Sequence, residues 1–404
     1  MSLIVQKYGG SSVADVEKIN NVADRVIKEY RNGNQVIVVV SAMGDTTDEL
    51  IELMNQVTKN PDPREVDMLL TTGEQVSIAL LSMAIHEKGC DAVSLTGGQV
   101  GIETNDRHNK AEIMNIDNTR VLNELDNGKI VVVAGFQGVN SQDDFTTLGR
   151  GGSDTTAVAI AAALGADRCE IYSDVDGIYT TDPRTVTDAK KLDYISYEEM
   201  LELANLGAKV LHPRSVELAK AYDLKLYIAS SYNNKPGTMV EGMDDMENRK
   251  NVTGVTADTD EVKITVEQVS DKPGIAGELF SRLADRGINV DMIIQNLSHN
   301  QKNDITFTVN NQDLVKGKED IIKIADELGA DEVIIDKNVA KVSIVGAGMI
   351  TTPGTAAAMF AALGKNDINI QMITTSDIKV SCLIEEDNAE KAVKILHETF
   401  ELAK

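Results

Sequence analysis

An internal repeat in the C-terminal part of the chain constrains the fold most. Pro273-Gly274 recurs as Pro353-Gly354, and the segment INVDMI at Ile288 recurs as INIQMI at Ile368, so both offsets are 80 residues. Each copy reads as strand, Pro-Gly turn, helix, strand, strand and helix. Two matched offsets indicate a duplicated unit. The βαββαβ order predicts a pair of small ferredoxin-like modules.

The first 230 or so residues follow a different pattern, in which strand-like runs alternate with helical segments. Gln35–Ser41 (QVIVVVS) and Ile130–Ala134 (IVVVA) are continuous apolar runs, typical of strands that are buried on both faces. Helical patterns such as Val66–Glu87 and Thr155–Leu164 lie between the strand candidates. This alternation predicts a mostly parallel sheet covered by helices. The polar, apolar-poor stretch 233–250 predicts a domain boundary.

The bulk composition excludes several functional classes. The chain has 404 residues and a formal net charge of −25, which opposes binding to nucleic acid and to anionic membranes. No apolar run approaches the roughly 18 residues of a membrane span, and the first residues read as a strand rather than a signal peptide. The three cysteines, Cys90, Cys169 and Cys382, lack metal-ligand spacing, and their odd number argues against a disulfide framework. We therefore expect a cytoplasmic protein that binds neither nucleic acid nor membrane.

The first motif with chemical potential is a glycine turn directly after the N-terminal strand, KYGGSS at residues 7–12. Its glycines let backbone N–H groups approach phosphate oxygens, and the helix predicted over Val13–Tyr30 points its N-terminus the same way. Lys7 adds a full positive charge for transferring phosphate oxygens. Taken alone, the turn also fits an ordinary strand–turn–helix, and it is neither a Walker loop nor a dinucleotide fingerprint.

The second motif is LGRGGSDTT at residues 148–156, which precedes an alanine-rich helix. An arginine, two glycines and a carboxylate on one turn can bind a carboxylate and organise phosphate together. We also expect Ser153 or Asp154 to cap the helix. A plain helix cap after a loop is the alternative.

Two further stretches are less specific when taken alone. Thr71-Thr72-Gly73-Glu74 opens or interrupts a helix, and Glu74 could be a ligand or merely exposed. Residues 172–184 (YSDVDGIYTTDPR) cluster carboxylates with tyrosine and arginine. That combination suits the ribose and phosphates of a nucleotide, and it suits a surface loop equally.

Together these four stretches, with SAMG at 41–44 and NLGAKVLHPR at 205–214, closely resemble the signature segments of the aspartate kinases in the amino-acid kinase family. The repeat resembles that family's paired ACT modules, and the resemblance runs essentially end to end. It implies an α/β fold with an N-terminal αβα sandwich and a mostly parallel sheet over 1–245. It implies a first ferredoxin-like ACT module over 260–336 and a second one from 251–259 and 337–404. No homoserine dehydrogenase segment follows, so a monofunctional chain is expected.

The resemblance also implies a reaction and its residues. ATP with Mg²⁺ would phosphorylate the side-chain carboxylate of L-aspartate to 4-phospho-L-aspartate, the first step toward lysine, threonine and methionine. Lys7 and Asp154 are the implied catalytic residues, and no residue is assigned to a metal. Substrate binding would use Ser41, Thr47, Glu74 (for the ammonium group), Arg150 (for a carboxylate), Gly151, Gly152 and Ser153. ATP binding would use Lys7, Tyr8, Gly9, Gly10, Ser11, Ser12, Ser173, Asp174, Tyr179, Asp182, Arg184 and Lys209.

In the family, feedback amino acids bind where ACT modules pair, so lysine, with threonine as a second candidate, is the implied inhibitor. One implied effector site comprises Asp271, Lys272, Gly274, Ile275, Ala276, Gly277, Asn289, Asp291 and Gln295. The other comprises Met349, Ile350, Thr352, Pro353, Asn369, Ile370, Ser376 and Ser381. The resemblance further implies a homo-oligomer formed through the ACT modules. Some relatives also make a short subunit from an internal start, for which Met243 or Met246 is the candidate in this chain.

Two alternatives remain open at this stage. One is a kinase for a related acidic amino acid, such as glutamate or acetylglutamate. The other is a catalytically inactive sensor that only binds amino acids. Glu74, the RGGSD stretch and the paired modules argue against the first, and Lys7, Arg150 and Asp154 argue against the second.

Overall fold

The computed structural model describes residues 2–208, 210–242, 250–297 and 302–404. They divide into two compact units, and the chain passes between the units more than once. The first unit contains most of residues 2–242, and the second contains 179–190, 205–208 and the C-terminal part. Lys209, Met243 and Met246, together with part of the expected boundary at 233–250, lie outside the described residues.

The first unit is built on an eight-stranded sheet, as the buried runs predict. Its strands are β1 (Leu3–Tyr8), β2 (Gln35–Val40), β3 (Ala92–Leu95), β6 (Ile130–Ala134), β9 (Arg168–Ser173), β10 (Tyr194–Ser196), β11 (Leu226–Ser230) and β12 (Thr238–Glu241). The order is β10-β12-β11-β9-β1-β2-β6-β3, and only the β11–β12 pair is antiparallel. A separate four-stranded sheet has the order β5-β4-β7-β8, with β4 (Ile102–Thr104), β5 (Ile113–Ile116), β7 (Gln137–Val139) and β8 (Phe145–Thr147).

Helices pack around the two sheets. They are α1 (Val16–Arg31), α2 (Thr46–Val57), α3 (Pro63–Leu70), α4 (Thr72–Glu87), α5 (Gly97–Val100), α6 (Thr119–Asp126), α7 (Gly152–Leu164), α8 (Tyr197–Asn205) and α9 (Pro213–Ala221). On β2, Val36, Val38 and Val40 pack against α1 and α4. The alternate residues Ile37 and Val39 are equally buried, and α7 contacts the same strand. Burial on both faces explains the continuous β-branched run.

The helical pattern predicted over Val66–Glu87 is two helices, because the chain ends α3 at Leu70 and begins α4 at Thr72. By length and composition, the combined stretch Pro63–Glu87 could cross a membrane, which the sequence analysis did not anticipate. Half of its most apolar window is buried inside the protein, and a core helix passes the same test. The stretch is therefore weak evidence for a membrane span.

The second unit carries one continuous six-stranded antiparallel sheet in the order β14-β15-β13-β16-β18-β17. Its elements are β13 (Gly254–Ser270), α10 (Ile275–Ala284), β14 (Ile293–Leu297), β15 (Lys302–Asn310), α11 (Asn311–Glu327), β16 (Glu332–Val345), α12 (Thr355–Lys365), β17 (Met372–Thr375), β18 (Lys379–Glu385) and α13 (Ala389–Thr399). The two long strands β13 and β16 pair along most of their length, and each contributes to both copies of the repeat. Val252 and Val255 lie in the core of the second copy beside Ile344 and Met359.

A buried ion pair links equivalent positions of the repeat. Glu261 and Lys341 are 80 residues apart, and the Lys341 ammonium donates to the Glu261 carboxylate and also to Asp291. Glu261 and Lys341 are 4% and 3% exposed. Two charges so far from water are tolerated only because they compensate each other.

Replacing Lys341 with Met should therefore lower the free energy of unfolding by about 3–5 kcal/mol, because it strands the Glu261 carboxylate in the core. The double variant Lys341→Met/Glu261→Leu should regain most of that loss. Urea unfolding of the full chain, followed by far-UV circular dichroism, measures both. Lys302→Met, which removes a more exposed partner of Asp331, is the control and should leave the midpoint nearly unchanged. Equal losses in the single and double variants would contradict the role of the pair.

Candidate active and effector sites

The glycine turn lies at the C-terminal end of β1, next to the loop after β2. The Gly9 N–H donates to the Tyr172 carbonyl at 3.3 Å, and residues 10–13 form a turn of 3₁₀ helix before α1. A side chain on Gly10 would place its Cβ 2.8 Å from the Ala42 carbonyl oxygen. Only glycine fits such a close backbone approach, so this turn is pressed against the loop that follows β2.

Lys7 is fixed by an ion pair with Asp154. Its Nζ lies 2.6 Å from Asp154 Oδ1, and both side chains are nearly buried. Asp154 stands in the first turn of α7, where a carboxylate interacts favourably with the helix dipole. The expectation that Ser153 or Asp154 caps this helix is wrong. Gly151 is the N-cap residue and has no side chain with which to cap the helix, while the Asp154 carboxylate in the first turn pairs with Lys7.

The RGG segment is held against the start of α9. Gly151 has φ +67°, and a Cβ there would lie 2.3 Å from His212 side-chain atoms. His212 is the N-cap of α9, and its Nδ1 accepts from the Arg214 N–H at 3.3 Å. Burial lowers the pKa of His212 although the Asp154 carboxylate opposes that shift. The ring facing Gly151 is therefore neutral near pH 7.

Glu74 is a buried carboxylate with a vacant oxygen. It is 3% exposed, its Oε1 accepts the Ala42 N–H at 3.1 Å, and its Oε2 has no hydrogen-bond partner among the described residues. Burial raises the pKa of Glu74 from 4.5 to about 7. A buried carboxylate without a cation is costly, so the arrangement suits an external cationic group such as an ammonium.

Ala42 brings these features together. Its carbonyl faces Gly10, its N–H binds Glu74, and a Cβ on Gly73 would lie 2.8 Å from its own Cβ. Ser41 precedes it, and the Ser41 N–H donates to the Tyr8 carbonyl. Thr47 lies in the first turn of α2, just beyond the same loop. The glycine turn and the vacant carboxylate therefore adjoin through one residue.

Some residues of the expected ATP set have other partners. The Tyr8 side chain is buried, stacks on Tyr172 with centroids 5.0 Å apart and donates to Gln6. The part of Tyr8 in ATP binding stays a prediction, and its backbone at the end of β1 is what adjoins the glycine turn. The Ser12 hydroxyl is buried and donates to Ser231 Oγ at 2.8 Å. Ser11, Ser173 and Asp174 are more accessible, at the ends of β1 and β9.

Tyr179, Asp182 and Arg184 belong to the second unit. Arg184 is exposed and pairs with the Asp182 carboxylate, Nη2 to Oδ2 at 2.7 Å. Val186 packs in the core of the second repeat, and Thr180 Oγ1 lies 2.9 Å from His397 Nε2. Their part in nucleotide binding stays a prediction, as does that of Lys209, which is outside the described residues.

The effector residues group at equivalent places in the two repeats. Gly274 and Gly354 start α10 and α12 with φ of +96° and +98°. Asn289 and Asn369 are both exposed. Several members are already paired. Asp291 binds Lys341, Asp271 accepts from Asn303 at 2.8 Å, Thr352 donates to Asn251 at 2.8 Å, and the buried Ser381 hydroxyl lies 2.7 Å from that of Ser343. Asp271, Lys272, Gly274, Gly277, Gln295, Ile350 and Asn369 are exposed.

Among the described residues no group of three or more His, Cys, Asp or Glu could hold a metal ion. The site therefore suits a Mg²⁺ that arrives with nucleotide phosphates and keeps most of its waters, rather than one that is enclosed by protein ligands. Asp154, which pairs with Lys7 beside the glycine turn, is a carboxylate that could add a ligand.

The sequence analysis missed residues that shape the site from outside the motifs. His212 and Arg214 were quoted within a motif without a role, although His-Pro before a helix is an N-terminal signal. Asp67 is fully buried and binds both a loop, through Asn109, and the end of β8, through Thr147. Nothing in a single sequence distinguishes Asp67 from other carboxylates on a helix.

The chain is similar to known proteins over its whole length. The amino-acid kinase family profile matches residues 2–230, and the ACT domain profile matches 262–323 and 342–400. An aspartokinase of Geobacillus stearothermophilus is 52% identical over 403 residues, covering 100% of this chain and 98% of that protein. E. coli aspartokinase III in complex with aspartate and ADP (R-state) aligns with a TM-score of 0.82 at 27% identity, covering 98% of this chain and 99% of that one. The same enzyme in complex with lysine and aspartate (T-state) aligns with a TM-score of 0.76 over the same shares.

The family profiles, the relatives of matching length and the arrangement around Lys7 all point to the same family. The chain belongs to the aspartate kinases of the amino-acid kinase family, and it carries ACT domains in its C-terminal part.

Proposed function

We propose that the chain transfers the γ-phosphoryl group of ATP to the side-chain carboxylate of L-aspartate, giving 4-phospho-L-aspartate and ADP, and that lysine inhibits it through the ACT domains. Threonine is a second candidate inhibitor. The observation that carries the proposal is the position of Ala42, which contacts both the Gly10 turn and the Glu74 carboxylate. A phosphate loop and an ammonium-binding carboxylate adjoin there, as transfer from ATP to an amino acid requires.

Aspartate binding needs groups of both signs. The vacant Glu74 oxygen receives the ammonium group, which restores a charge partner to that carboxylate. The Arg150 guanidinium, exposed beside Gly151, receives a carboxylate and can do so through two parallel hydrogen bonds. The E. coli relative in complex with aspartate and ADP supports aspartate as the amino acid that binds here.

Phosphoryl transfer itself needs little acid–base chemistry. The attacking carboxylate has a reference pKa of about 3.9 and is already ionised at pH 7, so no general base is required. The obstacle is repulsion between an anionic acceptor and polyanionic ATP. Lys7, held by Asp154, and the N–H groups of the glycine turn offset that repulsion. Mg²⁺ bound to the nucleotide would neutralise further phosphate charge.

A coupled ADP-release assay across aspartate, glutamate and N-acetylglutamate tests the substrate directly. Trapping the product with hydroxylamine tests for an acyl phosphate. We expect turnover and trapping with aspartate only. Turnover with another acid and none with aspartate would overturn the proposal.

Lys7→Ala should lower kcat by about 10²–10³ or more, because it removes a charge aimed at the transferring phosphoryl group. The substitution also leaves Asp154 unpaired, so thermal unfolding is measured in parallel, and Lys7→Ala/Asp154→Asn should keep the catalytic defect with less loss of stability. Lys18→Ala, which removes an exposed partner of Asp15, is the matched control. Activity within a few fold of the parent would rule out the phosphate-loop assignment.

Glu74→Gln should stabilise the protein above pH 7. The folded state raises the pKa of Glu74 from 4.5 to about 7, so between these values it binds more protons than the unfolded state. Stability is therefore lost as pH rises through this window, by at most about 3 kcal/mol once above it. The Tm difference between variant and parent, without ligands, should be largest at pH 8 and vanish near pH 4.5. A difference independent of pH would show that Glu74 does not titrate this way.

L-lysine should lower the activity without acting as a pure competitor of aspartate, because the E. coli relative holds lysine and aspartate in one complex. Initial rates over a matrix of both amino acids decide this. Asn289→Ala and Asn369→Ala change equivalent exposed positions of the two repeats, and loss of inhibition in one of them would locate the site. Inhibition that saturating aspartate abolishes completely would contradict the ACT assignment.

A further inference from the structure

A buried carboxylate outside every motif joins three parts of the first unit. Asp67 lies on α3 and is 0% exposed. Its Oδ1 accepts from the Thr147 hydroxyl at 2.6 Å, its Oδ2 lies 2.7 Å from His108 Nδ1, and both oxygens lie 3.1 Å from the Asn109 N–H. Hydroxyl, ring N–H and backbone N–H all donate to it, and only a carboxylate accepts on both oxygens.

The loop that Asp67 holds, residues 105–112, closes on itself. The Asn105 N–H donates to the Glu112 carbonyl at 3.0 Å, and the Asn105 side chain accepts from the Glu112 N–H at 3.1 Å. At its tip Asn109 has φ +66°, a left-handed conformation that is uncommon for a residue with a side chain. Such a conformation persists only where the surroundings fix it, and the Asp67 carboxylate fixes it by accepting the Asn109 N–H.

This loop runs along the residues that lead into Arg150. The Ala111 N–H donates to the Thr147 carbonyl at 2.9 Å. A Cβ on Gly149 would lie 3.2 Å from the Asn109 carbonyl oxygen. The Arg214 guanidinium bridges the Ala111 and Leu148 carbonyls at 3.2 and 3.3 Å. The 105–112 loop and the end of β8 therefore contact each other, and Asp67 holds both of them, the loop through Asn109 and the strand through Thr147.

The Arg150 side chain has no hydrogen-bond or ion-pair partner of its own in the ranges that the structure describes. The position of its backbone is fixed by the neighbours on either side, by Gly151 against His212 and by residues 147–149 against the loop. A displacement of β8 or of the loop would shift the Arg150 backbone.

We propose that Asp67 is a positioning residue for aspartate binding, which acts by holding the 105–112 loop and the end of β8 so that Arg150 meets the substrate carboxylate. The inference rests on the proposed role of Arg150. None of the Asp67 contacts given above involves the glycine turn, so the effect falls on aspartate and leaves ATP binding unchanged.

The test is a double-mutant cycle on the full chain, with KM for aspartate, KM for ATP and kcat from the coupled assay. Asp67→Ala should raise KM for aspartate about tenfold or more, since misplacement by about 1 Å can cost up to about 10²-fold. KM for ATP should stay within about twofold, as expected when independent sites do not couple. Asp67→Asn keeps one acceptor oxygen and should restore most of the parent value.

Arg150→Ala should also raise KM for aspartate, and Asp67→Ala should add almost nothing in that background, because the group through which it acts is gone. Ser196→Ala is the matched control. It removes a buried hydroxyl at the end of β10, in the other sheet of the same unit, that donates to Glu199 at 2.8 Å. It should leave both KM values unchanged. If Asp67→Ala fails to fold, Thr147→Val removes one of the three contacts. It should raise KM for aspartate by a smaller factor and leave KM for ATP unchanged.

The outcomes separate the two proposals. An unchanged KM for aspartate in Asp67→Ala, with a raised one in Arg150→Ala, overturns the positioning role and leaves the proposed function standing. Fully multiplicative effects in the double variant also overturn it, because Asp67 would then act by another route. An unchanged KM for aspartate in Arg150→Ala removes the proposed role of Arg150 and the inference with it.

Discussion

The ion pair between Lys7 and Asp154 is the constraint on which the rest of the active site depends. It joins the end of β1 to the first turn of α7, at 2.6 Å and with both side chains nearly buried. A lysine there without its carboxylate would be a costly buried charge. With it, the ammonium is fixed beside the glycine turn before any substrate arrives. Preorganisation of this kind lets a charge stabilise a transition state without a reorganisation cost at the moment of reaction.

The other half of the site is arranged in the opposite way. Glu74 has no cation in the described structure, and burial holds its pKa near 7. The structure thus has one compensated charge beside the glycine turn and one buried carboxylate with an uncompensated oxygen, to which the proposed function assigns phosphate and the amino acid. Above pH 7, the stability lost by ionising Glu74 would be recovered when an ammonium group binds there. This is a physical basis for selecting an amino acid over a simple dicarboxylate.

Much of the fold follows from the sequence, and the exceptions have physical reasons. Continuous runs such as Val36–Val40 predict a doubly covered parallel sheet because every residue of the strand is buried. The Pro-Gly repeat predicts the two modules because each copy needs a glycine in the left-handed conformation where its first helix starts, and Gly274 and Gly354 both have it. The TTGE stretch already indicates the break at Thr71, whereas the orientation of the Tyr8 side chain depends on tertiary contacts that no local pattern encodes. Asp67 is the clearest case, since its partners lie 41 to 80 residues away.

The ion pair between Glu261 and Lys341 has a consequence for how the duplicated modules can be combined. The two positions are equivalent in the repeat but carry opposite charges, and they meet in the core. Two copies of the first module would bring carboxylate against carboxylate, and two copies of the second would bring ammonium against ammonium. An exchange of regulatory modules between chains would therefore have to move both together, or replace both charges at once.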